Sequence, residues 1–217
     1  MKRKEQIIRK TLRVLAKEGF DQNQIECLIW YGSTKKDHLP DQDFDILAIL
    51  KSDCNYQRRK ESLLDLTFLG KSLAQEMAAH ADPLIVDPLL TGQVIYQTNG
   101  QKREVKKWLT QRHSKNEVGS YLKNWSHFFY QQAKKAFTGR QYQEALHFLC
   151  LSVSYNRFAN YYLSQQHRYP RPISFYCLQV TTSDSFMAYL LELKKRPAVT
   201  QQDVGKQLRK IKTLLTV

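Results

Sequence analysis

The alternation of apolar and polar positions divides the chain into a front half that reads as strands with short helices and a back half that reads as helices alone. Lys4 to Glu18 carries Ile8, Leu12 and Leu15 at helical spacing among lysines and arginines, and Gly19 follows as a C-cap. Ile25 to Tyr31 is an apolar strand that stops abruptly at Gly32-Ser33. After a polar loop, Asp43-Phe44-Asp45-Ile46 alternates into a second strand that continues to Leu50. Tyr56 to His80 sets Leu63, Leu66, Leu69, Leu73 and Met77 near one side with charges opposite, which predicts one long helix over the sheet. Leu84 to Val86, flanked by Asp82-Pro83 and Asp87-Pro88, reads as a short buried strand, and Val94 to Gln97 as another.

Beyond Gly100 the pattern is helical. Gln101 to His113 reads as a basic amphipathic helix or linker, and Glu117 to Phe137 as a helix anchored by Tyr121, Trp125, Phe128 and Phe129. Gln141 to Ser164 is apolar on most sides, as the central helix of a bundle should be. Tyr169-Pro170-Arg171-Pro172 breaks the chain, Phe175 to Val180 is short and apolar, and Asp184 to Lys195 and Gln201 to Leu215 close the bundle. The fold class expected is α+β: a small mixed sheet domain over residues 1–100, then an all-α basic bundle over residues 101–217.

Charge sharpens that division. The net charge is +14. Residues 1–100 hold 14 Lys/Arg against 14 Asp/Glu, and residues 101–217 hold 20 against 6, so the whole excess belongs to the second half. A basic surface with tyrosines near it favours a polyanionic partner over a polycationic one. Cys27, Cys54, Cys150 and Cys177 lie far apart without a Cys-x-x-Cys pair, which points to reduced thiols and a cytoplasmic setting. No run of apolar residues is long enough for a membrane span, and the basic N-terminus lacks the apolar core of a secretion signal.

The candidate chemistry sits between Ile25 and Leu50. In a strand, residues i and i+2 share a face, so Asp43 and Asp45 point together. Two carboxylates side by side are costly unless a cation lies between them, and oxygen ligands of this kind suit Mg²⁺. Gly32 allows close backbone approach, and the turn it opens can offer N–H groups and the Ser33 hydroxyl to an anion. Lys35 and Lys36 follow where they can neutralise phosphate charge. His38 reads as a solvated loop residue, and Asp41 ranks below Asp43 and Asp45 as a ligand.

Gly-Ser, nine residues, then Asp-hydrophobe-Asp resembles the signature of the DNA polymerase β-type nucleotidyltransferase superfamily, in particular its minimal bacterial branch. The resemblance implies that Gly32 and Ser33 hold a nucleoside triphosphate, ATP being the first choice, with help from Lys35 and Lys36. It implies that Asp43 and Asp45 hold two Mg²⁺ ions, or Mn²⁺, and that a third carboxylate on a neighbouring strand completes the catalytic set. Asp82 is the preferred candidate for it and Asp87 the alternative. The activity implied is transfer of a nucleoside monophosphate to an acceptor hydroxyl. An RNA or a protein acceptor suits the basic second half better than a polycationic antibiotic does, although antibiotic transfer stays an alternative, as does nucleotide binding with little catalysis. A minimal nucleotidyltransferase followed by a helical bundle is similar in architecture to antibiotic nucleotidyltransferases and to nucleotidyltransferase–HEPN pairs, whose members often dimerise. On the central helix Arg157 is not followed by a histidine at the Arg-x4-6-His spacing of the HEPN ribonucleases, the next one being His167.

Overall fold

In the first helix, α1 (Lys2–Lys17), Ile7, Val14 and Leu15 are buried while Glu5, Arg9 and Arg13 face solvent, the pattern that helical periodicity dictates. The computed structural model describes residues 2–32, 43–98, 107–110, 113–168, 173, 185–196 and 198–215. A short 3-10 turn, Gln22–Gln24, is capped by Asp21, whose carboxylate accepts from the N–H groups of Asn23 and Gln24. It delivers the chain into a five-stranded sheet.

The strands are β1 (Ile25–Tyr31), β2 (Phe44–Leu50), β3 (Gln57–Glu61), β4 (Leu64–Gly70) and β5 (Gln93–Gln97), in the order β3-β4-β2-β1-β5. The β2–β4 pair is parallel and the other pairs are antiparallel, so the sheet is mixed. Ile46, Ala48 and Leu50 of β2 and Leu64, Leu66 and Phe68 of β4 pack with Ile7, Val14 and Leu15 of α1 in one core. The alternate residues face the other way. There α2 (Lys71–Ala79) packs on β2 and β4, and α3 (Pro83–Thr91) packs on β1. Edge strand β3 reads Gln-Arg-Arg-Lys-Glu, and its charged side chains discourage pairing with a second chain.

Two expected elements are overturned. The long helix over Tyr56 to His80 is a β-hairpin, β3 and β4, followed directly by the shorter α2. All seven residues of β4 are buried. A strand covered on both faces and paired with a parallel neighbour carries apolar residues almost continuously, and periodicity cannot separate such a run from a helix. The strand expected over Leu84 to Val86 is the first turn of α3, with Pro83 at its start.

The chain divides into two compact units, one comprising Met1–Arg112 with Pro172–Ser174 and the other His113–Arg171 with Phe175–Val217. Among the described residues the second holds four helices: α4 (Lys115–Thr138), α5 (Tyr142–Ser164), α6 (Ser185–Lys194) and α7 (Gln201–Leu215). Ser114 and Glu117 form a capping box that starts α4. Leu149, Leu190, Val204 and Ile211, one or more from each of α5, α6 and α7, meet Ala133 of α4 in a continuous apolar core. The architecture is therefore α+β, sheet first and helices after. Phe175 to Val180 and most of Gln101 to His113 lie outside the described residues, within which Trp108–Thr110 is a 3-10 turn. Among the described residues Cys27, Cys54 and Cys150 are free thiols, and no helix is long and apolar enough to cross a membrane.

Candidate carboxylate site

Strand register assembles the site. Tyr31 of β1 pairs with Asp45 of β2, Asp45 with Asp65 of β4, and Asp65 with Lys60 of β3. Residues in register share a face, and neighbouring strands lie about 4.8 Å apart. A single row of Tyr31, Asp45, Asp65 and Lys60 therefore crosses four strands, with Asp43 two residues before Asp45. The next row brings Thr67 beside Arg58.

Gly32 closes one end of that row. Its φ of 81° lies in the left-handed region, and a Cβ there would stand 2.0 Å from Asp45 Oδ2. Backbone conformation and contact with the carboxylate both demand glycine at this position. Gly32 at the end of β1 is thus pressed against the Asp45 carboxylate of β2. Ser33, Lys35 and Lys36 lie outside the described residues, as do His38 and Asp41.

The two neighbouring carboxylates are treated differently. Burial, then the charge of Asp65 and, more weakly, of Asp43, raise the Asp45 carboxyl to about 6, against the opposing pull of Arg58 and Lys60. Asp65 is held by a two-pronged fork from Arg58: Nε donates to Oδ1 at 2.7 Å and a terminal nitrogen donates to Oδ2. Asp43 Oδ2 accepts from Lys60 Nζ at 2.6 Å. These ion pairs differ in cost of separation. The Asp65 side chain is 9% exposed and Arg58 41%, whereas Asp43 is 35% and Lys60 61% exposed. Separating an exposed pair costs about 0–1 kcal/mol, and orphaning a buried charge about 3–5 kcal/mol. Lys60 is easily displaced from Asp43; Arg58 resists displacement from Asp65.

A tyrosine pair completes the polar face. Burial foremost, then the charge of Asp45, drives the Tyr31 hydroxyl well above its ordinary range, and burial also raises that of Tyr56. Burial holds both hydroxyls protonated, against the opposing pull of the Thr67 side chain.

Asp82 occupies a different place. It is fully buried and caps α3, its Oδ1 accepting from the Leu84 N–H at 2.9 Å. The structure does not set it in the row with Asp45; its charge reaches Tyr56. Asp87 lies within α3, where its carbonyl accepts from the Thr91 hydroxyl. The carboxylate on the strand beside Asp45 is Asp65. Sequence reasoning passed over Asp65, Arg58, Lys60, Tyr31 and Thr67. The signal was Leu64-Asp65-Leu66-Thr67, an acid alternating with apolar residues as Asp45 does in its own strand.

Asp43 and Asp45 offer the oxygen donors of a hard divalent ion, whose remaining positions water or phosphate can fill. Among the described residues no group of three or more His, Cys, Asp or Glu side chains is arranged to hold a metal. Asp43 and Asp45 are the residues of this row that would hold such an ion.

No protein-family model and no curated protein matches the chain in sequence. In structure the chain is similar to a nucleotidyltransferase-like protein from Exiguobacterium sibiricum, with 14% identity over 96% of this chain and 74% of the other, at a TM-score of 0.40. A likeness of that size leaves the functional reading to the residues themselves.

Proposed function

We propose that the chain is a metal-dependent nucleotidyltransferase, moving a nucleoside monophosphate from a nucleoside triphosphate to an acceptor hydroxyl. The observation that carries this reading is the contact of Gly32 with the Asp45 carboxylate at the end of β1, with Asp65 in register beside it. Asp43 and Asp45 hold the divalent ion, which when bound supplies charge neutralisation at the phosphates and activation of the acceptor oxygen. Gly32 and Ser33, which follow β1 in sequence, receive the triphosphate, and Lys35 and Lys36 are placed in sequence to neutralise it. Lys60, on leaving Asp43, is a flexible cation beside the same phosphates. Tyr31 lies against Asp45 and holds a protonated hydroxyl there. Positioning and charge are most of what such a transfer requires.

The acceptor this reading favours is RNA or a protein, with ATP as donor, because the second half carries the whole positive excess. A second reading, nucleotide binding with little turnover, draws support from Arg58 and Lys60, which already neutralise the outer carboxylates. One experiment tests both. The chain is incubated with each α-³²P-labelled nucleoside triphosphate and Mg²⁺, with and without bacterial RNA and protein extract, beside Asp43→Ala/Asp45→Ala. Label that moves to RNA, protein or a small molecule only with intact aspartates supports transfer. Metal-dependent binding without movement of label leaves the second reading standing, and neither binding nor transfer removes both.

A further inference from the structure

Resting on the reading that Asp43 and Asp45 hold a metal-bound nucleotide, we propose that the site takes a single divalent ion, and that Arg58, clamped by Asp65, supplies its second positive charge. The row of residues motivates this. Asp45 stands between Gly32 on one side and Asp65 on the other, and the carboxylate of Asp65 is already committed to the fork of Arg58. Asp65 is buried, so stripping the guanidinium from it would leave a buried negative charge until an ion arrived. Lys60 and Asp43 are under no such constraint, since both side chains reach solvent. An incoming ion therefore displaces Lys60 and settles on Asp43 and Asp45, while Arg58 stays.

A guanidinium is suited to that office. It remains charged at every working pH and presents its donors in a rigid plane, features that favour phosphate recognition. Its charge already acts on Asp45, Tyr31 and Tyr56, so it belongs electrostatically to the site and not to the strand edge alone. With Asp65 occupied, Asp43 and Asp45 are the carboxylates of the described row left to share an ion. Arg58 and Lys60 alternate with Arg59 and Glu61 along β3. Arg59 pairs with Glu18, just past the end of α1, and Glu61 with Lys17 in its last turn, so the strand sends two cations to the site and uses the other two positions to anchor itself.

The test counts ions. The full chain is titrated with Mn²⁺ in the presence of a non-hydrolysable ATP analogue, and bound ions are measured by electron paramagnetic resonance and calorimetry. One ion per chain is expected, and two would overturn the proposal while leaving the nucleotidyltransferase reading intact. Arg58→Met should uncover Asp65 and admit a second ion, whereas Arg58→Lys should keep one. Asp65→Asn should also keep one ion but weaken the analogue about tenfold, because the guanidinium loses its clamp. Arg58→Met with one ion and unchanged analogue affinity overturns the proposal. A wild-type chain that binds neither ion nor analogue overturns the underlying reading with it. Thermal melts identify any variant that fails to fold, and the wild-type count then decides alone.

Discussion

The sheet unit and the helical unit use polar residues in opposite ways. On the sheet, Asp45, Asp65, Tyr31 and Thr67 are gathered on one face at partly or fully buried positions, and two carboxylates stand side by side. In the helical unit the buried polar residues Ser126, Ser152, Ser154 and Gln207 are all uncharged, and Ser126 and Ser154 donate to the backbone carbonyls of Ser152 and Cys150. Net charge points the other way: residues 1–100 balance to zero, and residues 101–217 hold the +14. Overall charge is thus a poor guide to where chemistry sits. What marks the site is charge gathered on one face of the sheet, with two carboxylates held against their own repulsion by strand register.

The comparison breaks most sharply on large-to-small changes. Phe158, fully buried in α5, should cost about 3–5 kcal/mol when changed to alanine and leave nucleotide affinity per folded molecule unchanged. Urea unfolding and analogue binding measured on the same preparation separate the two effects. Gly32→Ala should cost less stability, about 1–3 kcal/mol, yet abolish metal-dependent nucleotide binding, because the new methyl and the Asp45 carboxylate cannot share the space. Gly119 is the control within the helical unit. A Cβ there would lie 2.5 Å from Leu163 Cγ, so Gly119→Ala should lower the melting temperature without touching the site.

A pH series sharpens the electrostatic side. Burial and the Asp65 charge push the folded Asp45 carboxyl up to about 6 from its ordinary 3.8, so between those values the folded state binds the extra proton. Stability should fall as pH rises from about 4 to about 6, by about 2–3 kcal/mol, and be flat above that from this group. Denaturant unfolding of the wild type beside Asp45→Asn checks this, since the substitution should remove that slope. Mn²⁺ affinity should rise over the same window as the carboxyl loses its proton. The smallest effect expected is on the helical surface. Lys195 and Glu192 form an exposed pair at 2.8 Å, and Lys195→Ala should shift the melting temperature by no more than about 1–2 °C in a thermal melt.

The sequence by itself determined β1, β2, the glycine between them and helices α4, α5 and α7, because each rests on a local rule: an apolar run, a forced turn, a capping box or a regular stripe. It also determined that Asp43 stands two residues before Asp45 at the head of β2. Only the tertiary structure decided that Asp65 stands beside Asp45, that Arg58 holds it, and that Asp82 caps a helix. Those facts depend on strand order and register between segments far apart in the chain. A buried parallel strand and a helix leave nearly the same apolar trace, and an Asp-Pro pair starts either a strand or a helix. Neither ambiguity resolves until β4 finds its place next to β2.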